Sequence, residues 1–168
     1  MADTLLPEDI VALARRVVEE NSALGRTVTV AESCTGGLVA AAITEIRGSS
    51  KIFGRGFVTY SNRAKTDMLG VPPDILDTFG AVSVAVAWAM AQGALRRSNA
   101  DVAVALTGVS GPDGGTRQKP VGTVVFARIG RNDAPEDAAT ELHHFGADLG
   151  RGDVRRQAAL VALEWLLP

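Results

Sequence analysis

The stretch from Thr29 to Leu38, TVAESCTGGL, constrains the architecture of this chain more than any other. A β-branched run over residues 27–31 reads as a strand and an alanine-rich run over 37–46 reads as a helix. An acid, two hydroxyls, a thiol and two glycines therefore fall at a strand-to-helix junction. Such a junction sets side-chain nucleophiles beside N–H groups that lack intrahelical partners, and those groups suit an anion or a developing oxyanion. Ser33 and Cys34 are both candidate nucleophiles, with Glu32 beside them either orienting a neighbour or simply opening the turn.

Two further junctions repeat the pattern. Residues 56–60 read as a short strand that delivers Tyr60, Ser61 and Asn62, followed by a helix over 63–69 that Gly70 and the Pro72-Pro73 pair stop. Residues 101–107, DVAVALT, form a nearly continuous apolar run and fit a central strand buried on both faces; it feeds into the glycine-rich run GVSGPDGG at 108–115. Around these lie an amphipathic helix over 7–21, a short turn-rich segment after Pro73, and a scaffold helix from Ser83 to Arg97 with an apolar stripe. Strands over 121–129 and 140–145, joined by the polar turn RNDAPED, suit a hairpin, and a helix over 153–167 closes the chain. Strands alternate with helices early and pair directly late, so the expected fold is α/β: a three-layer α/β/α sandwich on a mixed sheet, as a single domain over 1–168. Ligands in open α/β sheets bind outside the carboxyl ends of strands, so the three polar junctions point to one shared pocket.

Composition narrows the partners. With 17 basic against 19 acidic residues and a net charge of -2, the chain offers no broad attraction to nucleic acid or an anionic membrane. One cysteine excludes an internal disulfide, and with two adjacent histidines it makes no zinc-ligand spacing, so a reduced, cytoplasmic protein without structural metal is expected. The opening MADTLLPEDI carries acids where a signal peptide carries Lys or Arg, and no apolar run approaches the roughly 20 residues that span a bilayer. Apolar helices such as 83–97 leave a homo-oligomer open.

A serine hydroxyl becomes a useful nucleophile only when a base removes its proton. His143 and His144 are adjacent in a predicted strand and face opposite sides, and the favoured reading is one core-facing and one solvent-facing histidine. Lys65 is the other base, provided its pKa falls by about 3 units, a cost of about 4 kcal/mol that burial or nearby cations must impose. Tyr60 is placed either to relay a proton or hold that lysine, or to be an ordinary strand-end aromatic. On local sequence a serine in the place of Ser33 is more often a helix cap than a nucleophile, and a cysteine such as Cys34 is usually a small buried hydrophobe, although a helix N-terminus could lower its pKa. The GVSGPDGG run lacks both Walker and dinucleotide spacing, although its N–H groups could cradle a phosphate or ribose, with Arg117, Lys119 and Arg151 as phosphate partners or plain surface charge.

The segments AESCTGG (31–37), GSS (48–50), YSNRAK (60–65), LGV (69–71), GAVS (80–83), TGVSGPDGG (107–115) and KPVGTV (119–124) occur in this order. Together they resemble the C-terminal domain family of the competence/damage-inducible protein CinA, over about residues 8 to 167. The resemblance implies a stand-alone amidase that converts nicotinamide mononucleotide to nicotinate mononucleotide and ammonia, with a small-molecule nucleotide as its partner and no metal or organic cofactor. It implies Ser33 as nucleophile, Lys65 as base and Tyr60 as a supporting hydroxyl, with oxyanion N–H groups from Thr35, Gly36 and Gly37. Asn62, Thr107, Gly108 and Gly111 would line the nucleotide site. Where the family carries Phe-x-Gly-Asp-Arg before its last helix, Phe145 here leads into GADLGRGDVRR, with Arg151 as the matching arginine and Gly150 in place of the acid. The family's acid after the GAVS serine is Val84 here. The competing readings are a non-catalytic nucleotide-binding or regulatory domain that keeps the pocket, and a thiol amidase built on Cys34.

Overall fold

The computed structural model describes residues 4–168; residues 1–3, the start of the stretch read above for its acids, lie outside the described residues. Its elements run in the order α1 (Glu8–Ala23), β1 (Val28–Glu32), α2 (Leu38–Glu45), β2 (Phe57–Val58), α3 (Asn62–Leu69), α4 (Pro73–Phe79), α5 (Val84–Ser98), β3 (Val102–Gly108), β4 (Thr123–Gly130), β5 (Ala139–His144) and α6 (Arg151–Leu166). The strands form one mixed sheet ordered β2-β1-β3-β4-β5. β1 pairs in parallel with β2 and β3, while β4 runs antiparallel to both β3 and β5.

Period-two alternation divides the sheet between two cores. Val28, Val30, Val104, Leu106, Val124 and Phe126 pack with α1, α2 and α6 on one face. Ala31, Ala103, Ala105, Val125, Ala127 and Ile129 pack with α5 and its neighbours on the other. Small side chains on the second face let the alanine-rich α5 lie close to the sheet, and Ala87, Ala91 and Ala94 are wholly buried there. This is the expected three-layer sandwich on a mixed sheet.

The main departure is α4. The Pro72-Pro73 pair reads as a stop followed by turns, but Pro73 occupies the first position of a seven-residue helix, where its missing N–H costs nothing and its fixed φ is already helical. β2 is also shorter than expected, with only two residues in the ladder.

Parallel pairing fixes where the chemistry falls. Glu32 is in register with both Val58 and Leu106, so the carboxyl ends of β1, β2 and β3 open side by side. Two backbone bonds extend that alignment past the strands: the Ser33 N–H donates to the Leu106 carbonyl at 3.1 Å and the Thr59 N–H to the Glu32 carbonyl at 2.8 Å.

Candidate active site

Ser33 is the first residue beyond β1, and Lys65 lies in the first half of α3, whose cap is the Ser61 hydroxyl accepting from the Ala64 N–H at 3.0 Å. The cap starts the helix immediately after the β2 loop, so Lys65 turns back over its own strand end. Its Nζ lies 3.0 Å from Ser33 Oγ, 2.9 Å from the Thr59 carbonyl and 3.3 Å from the Tyr60 carbonyl. Lys65 is only 1% exposed and, among the described residues, forms no ion pair. Burial without a counter-charge pulls its pKa down from 10.5 to about 8. The three contacts suit an ammonium that donates to all three oxygens, and equally a neutral amine whose two N–H groups serve the carbonyls and whose lone pair faces the Ser33 hydroxyl.

The turn after β1 differs from the sequence expectation. The start of α2 is not an open anion site, because Glu32, wholly buried, already fills it. Its carboxylate accepts from the Thr35 hydroxyl at 2.6 Å and from the N–H groups of Gly37, Val39 and Ala40 at 3.1, 3.1 and 2.8 Å. The Gly36 N–H donates to the Ser33 carbonyl at 3.1 Å. Gly36 and Gly37 are thus spoken for, and the amides left without an acceptor among the described residues are those of Cys34 and Thr35. Both glycines adopt positive φ, +62° and +100°, which the turn requires.

Cys34 is buried, and burial pushes its thiol up to about 11, the opposite of an activated thiolate. His143 lies half-buried against Phe126 and Phe145, while the exposed His144 sits with Nδ1 3.1 Å from the Thr123 hydroxyl; both are on the edge strand β5, apart from Ser33. One histidine is core-facing and one solvent-facing, as the alternation predicts.

Tyr60 reaches Lys65 through its main-chain carbonyl, while its exposed phenol accepts from Arg151 at 2.9 Å. Arg151 also donates to the Gly111 carbonyl at 2.8 Å, so the first residue of α6 ties the second junction to the third. Arg155, one turn on, donates to the Thr35 carbonyl at 2.9 Å and ties in the first. The sequence reading missed Arg155; its i,i+4 spacing from Arg151 was the one available signal. Thr107 is buried and spends its hydroxyl on the Ala81 carbonyl at 2.9 Å, anchoring the turn before α5. Gly108 packs so closely on β4 that a Cβ would meet the Thr123 carbonyl at 2.8 Å, and Gly111 has φ +77°. Lys119 donates to the Phe79 carbonyl at 2.7 Å, and Arg117 is exposed. Asn62 is exposed on the first turn of α3 and lines a cleft of about 200 Å³ with Thr66, Leu76 and Asp77; neither Ser33 nor Lys65 is in its walls.

The structure thus brings Ser33, Lys65, Tyr60, Thr35, Gly111 and Arg151 into one linked cluster at the carboxyl ends of three parallel strands, while Asn62 lines the separate cleft. Among the described residues no group of His, Cys, Asp and Glu has the arrangement of a metal site, and no helix is long and apolar enough to cross a membrane.

Comparison with known proteins places the chain in a family. The nicotinamide-nucleotide amidohydrolase PncC of Escherichia coli K12 is 49% identical over 158 residues, which cover 94% of this chain and 93% of that protein. A CinA-like protein of Geotalea daltonii is 51% identical over 142 residues, 84% of this chain; the chain spans about a third of the length of this longer relative. The crystal structure of the competence/damage-inducible protein CihA from Agrobacterium tumefaciens superposes with a TM-score of 0.92 at 50% identity, covering 97% of this chain and 96% of that one. The model of the CinA C-terminal domain matches residues 10–168, and the chain belongs to that family.

Proposed function

We propose that this chain is a nicotinamide-nucleotide amidohydrolase that releases ammonia from nicotinamide mononucleotide through Ser33 and Lys65. The observation that carries the reading is the buried Lys65 amine, 3.0 Å from Ser33 Oγ, with no carboxylate partner among the described residues and its other two contacts on carbonyls. At pH 7 a base with a pKa of about 8 is neutral in about a tenth of molecules, enough to act as a general base near neutrality.

Ser33 Oγ attacks the carboxamide carbon as Lys65 takes its proton. The oxyanion that forms is met by the Cys34 and Thr35 amides, rather than by Gly36 and Gly37. Lys65 then passes the proton to the amide nitrogen, the C–N bond breaks, ammonia leaves and the acyl group remains on Ser33 as an ester. Water attacks the ester with Lys65 again as base, releasing the carboxylate and restoring the serine. The Arg151 guanidinium, presented at the rim with Tyr60 and Gly111, is the cation offered to the nucleotide phosphate. Binding that distant phosphate positions the amide, so nicotinamide alone is a poor substrate. The single reduced Cys34 agrees with a cytoplasmic setting.

Acid-quenching the protein during turnover of nicotinamide mononucleotide and measuring intact mass tests this directly. An acyl adduct on Ser33, absent from Ser33→Ala, is expected. Nucleotide binding with neither adduct nor ammonia would instead make the chain a binding module.

A further inference from the structure

The start of α2 is capped in an unusual way. Gly37, the residue before the helix, has no side chain to cap it, and the acceptor comes instead from Glu32 on the preceding strand. A Ser or Asp at the cap would satisfy the same N–H groups at the surface, without a wholly buried carboxylate and its desolvation cost. What Glu32 adds is reach: the same carboxylate holds the Thr35 hydroxyl at 2.6 Å and the N–H groups on both sides of the helix start. Arg155 holds the Thr35 carbonyl from above at 2.9 Å, and the Gly36 N–H is closed onto the Ser33 carbonyl. The Thr35–Gly36 peptide is thereby fixed at both of its polar ends.

We propose that Glu32 is a positioning residue for the hydrolysis proposed above: it consumes the helix amides and locks Thr35, leaving the Cys34 and Thr35 amides as the oxyanion donors beside Ser33. The inference rests on the amidase reading. It implies a fall in kcat, with KM nearly unchanged, when the carboxylate is altered, because the groups it sets are used once charge develops on the substrate oxygen.

The test compares Glu32→Gln, which keeps the shape and one acceptor oxygen, with Thr35→Val, which removes only the hydroxyl bond. Three readouts are taken: ammonia release from nicotinamide mononucleotide, thermal unfolding, and the rate at which a small fluorophosphonate labels Ser33. Expected are a fall of roughly tenfold or more in kcat for Glu32→Gln, a smaller fall for Thr35→Val, KM within about twofold, and slower labelling in both folded variants. Unchanged kcat and labelling in folded Glu32→Gln would overturn the proposal and leave Glu32 as a helix cap, and a rise in KM alone would overturn it too. If the parent releases no ammonia, the amidase reading fails separately, and the labelling rates alone then decide the role of Glu32.

Discussion

Gly93 of α5 and Leu69 at the end of α3 meet backbone to backbone: a Cβ on Gly93 would run directly into the Leu69 carbonyl oxygen. That carbonyl also accepts from Arg97 at 2.7 Å, so the end of α3 is held against α5 by contact and by hydrogen bond. Because Lys65 lies one turn earlier on α3, this contact sets how far the amine reaches toward Ser33. Gly93→Ala is expected to lower stability by about 3 kcal/mol or more, since backbone rather than a flexible side chain must yield. Chemical denaturation measures this, and an unchanged midpoint would refute the contact.

Lys65 is held at a thermodynamic disadvantage. Its drop from 10.5 to about 8 corresponds to about 3 kcal/mol disfavouring the charged amine in the folded state. The unfolded chain binds the proton more tightly, so the penalty is full below pH 8 and fades as pH rises from 8 toward 10.5. Lys65→Met should therefore stabilise the protein at pH 7 by at least about 1 kcal/mol while removing turnover, with the gain shrinking above pH 8. A variant less stable than the parent at pH 7 would contradict this.

In the proposed reaction the same group sets the rate profile. A base must be neutral to accept the Ser33 proton, so kcat/KM should rise with pH, steeply below 7, and level off above about 8. A pH–rate series reads the limb directly, and a profile flat from pH 6 to 9 would remove Lys65 as the base.

Cys34 adjoins Ser33 but is buried with its thiol pushed up to about 11. Cys34→Ala keeps the backbone amide and should retain turnover within about threefold, at a cost of about 1 kcal/mol in stability. Loss of a hundredfold or more in a folded variant would revive the thiol mechanism.

Much of this was legible in the sequence, for a physical reason. The apolar run at 102–106 and the β-branched run at 28–30 carry their own periodicity, and their abrupt polar ends mark the carboxyl edge of the sheet. The Ser33–Lys65 pair was within reach because Ser33 stands at such an end and Lys65 lies on the helix that follows the next strand. Glu32 was left open between orienting a neighbour and opening the turn, and Arg155 was missed, because their partners are mainly backbone groups: a buried acid that caps the next helix leaves no spacing pattern, and Arg155 reaches across 120 residues. Tyr60 was placed correctly in the chain, yet its carbonyl and its phenol serve different partners, which residue type alone does not disclose.

The most direct test is ammonia release from nicotinamide mononucleotide by the parent, Ser33→Ala and Lys65→Ala side by side, with folding checked by circular dichroism. Turnover in the parent, reduced by at least about a thousandfold in both folded variants, is the predicted result. Turnover that survives in either folded variant would contradict the Ser33–Lys65 account.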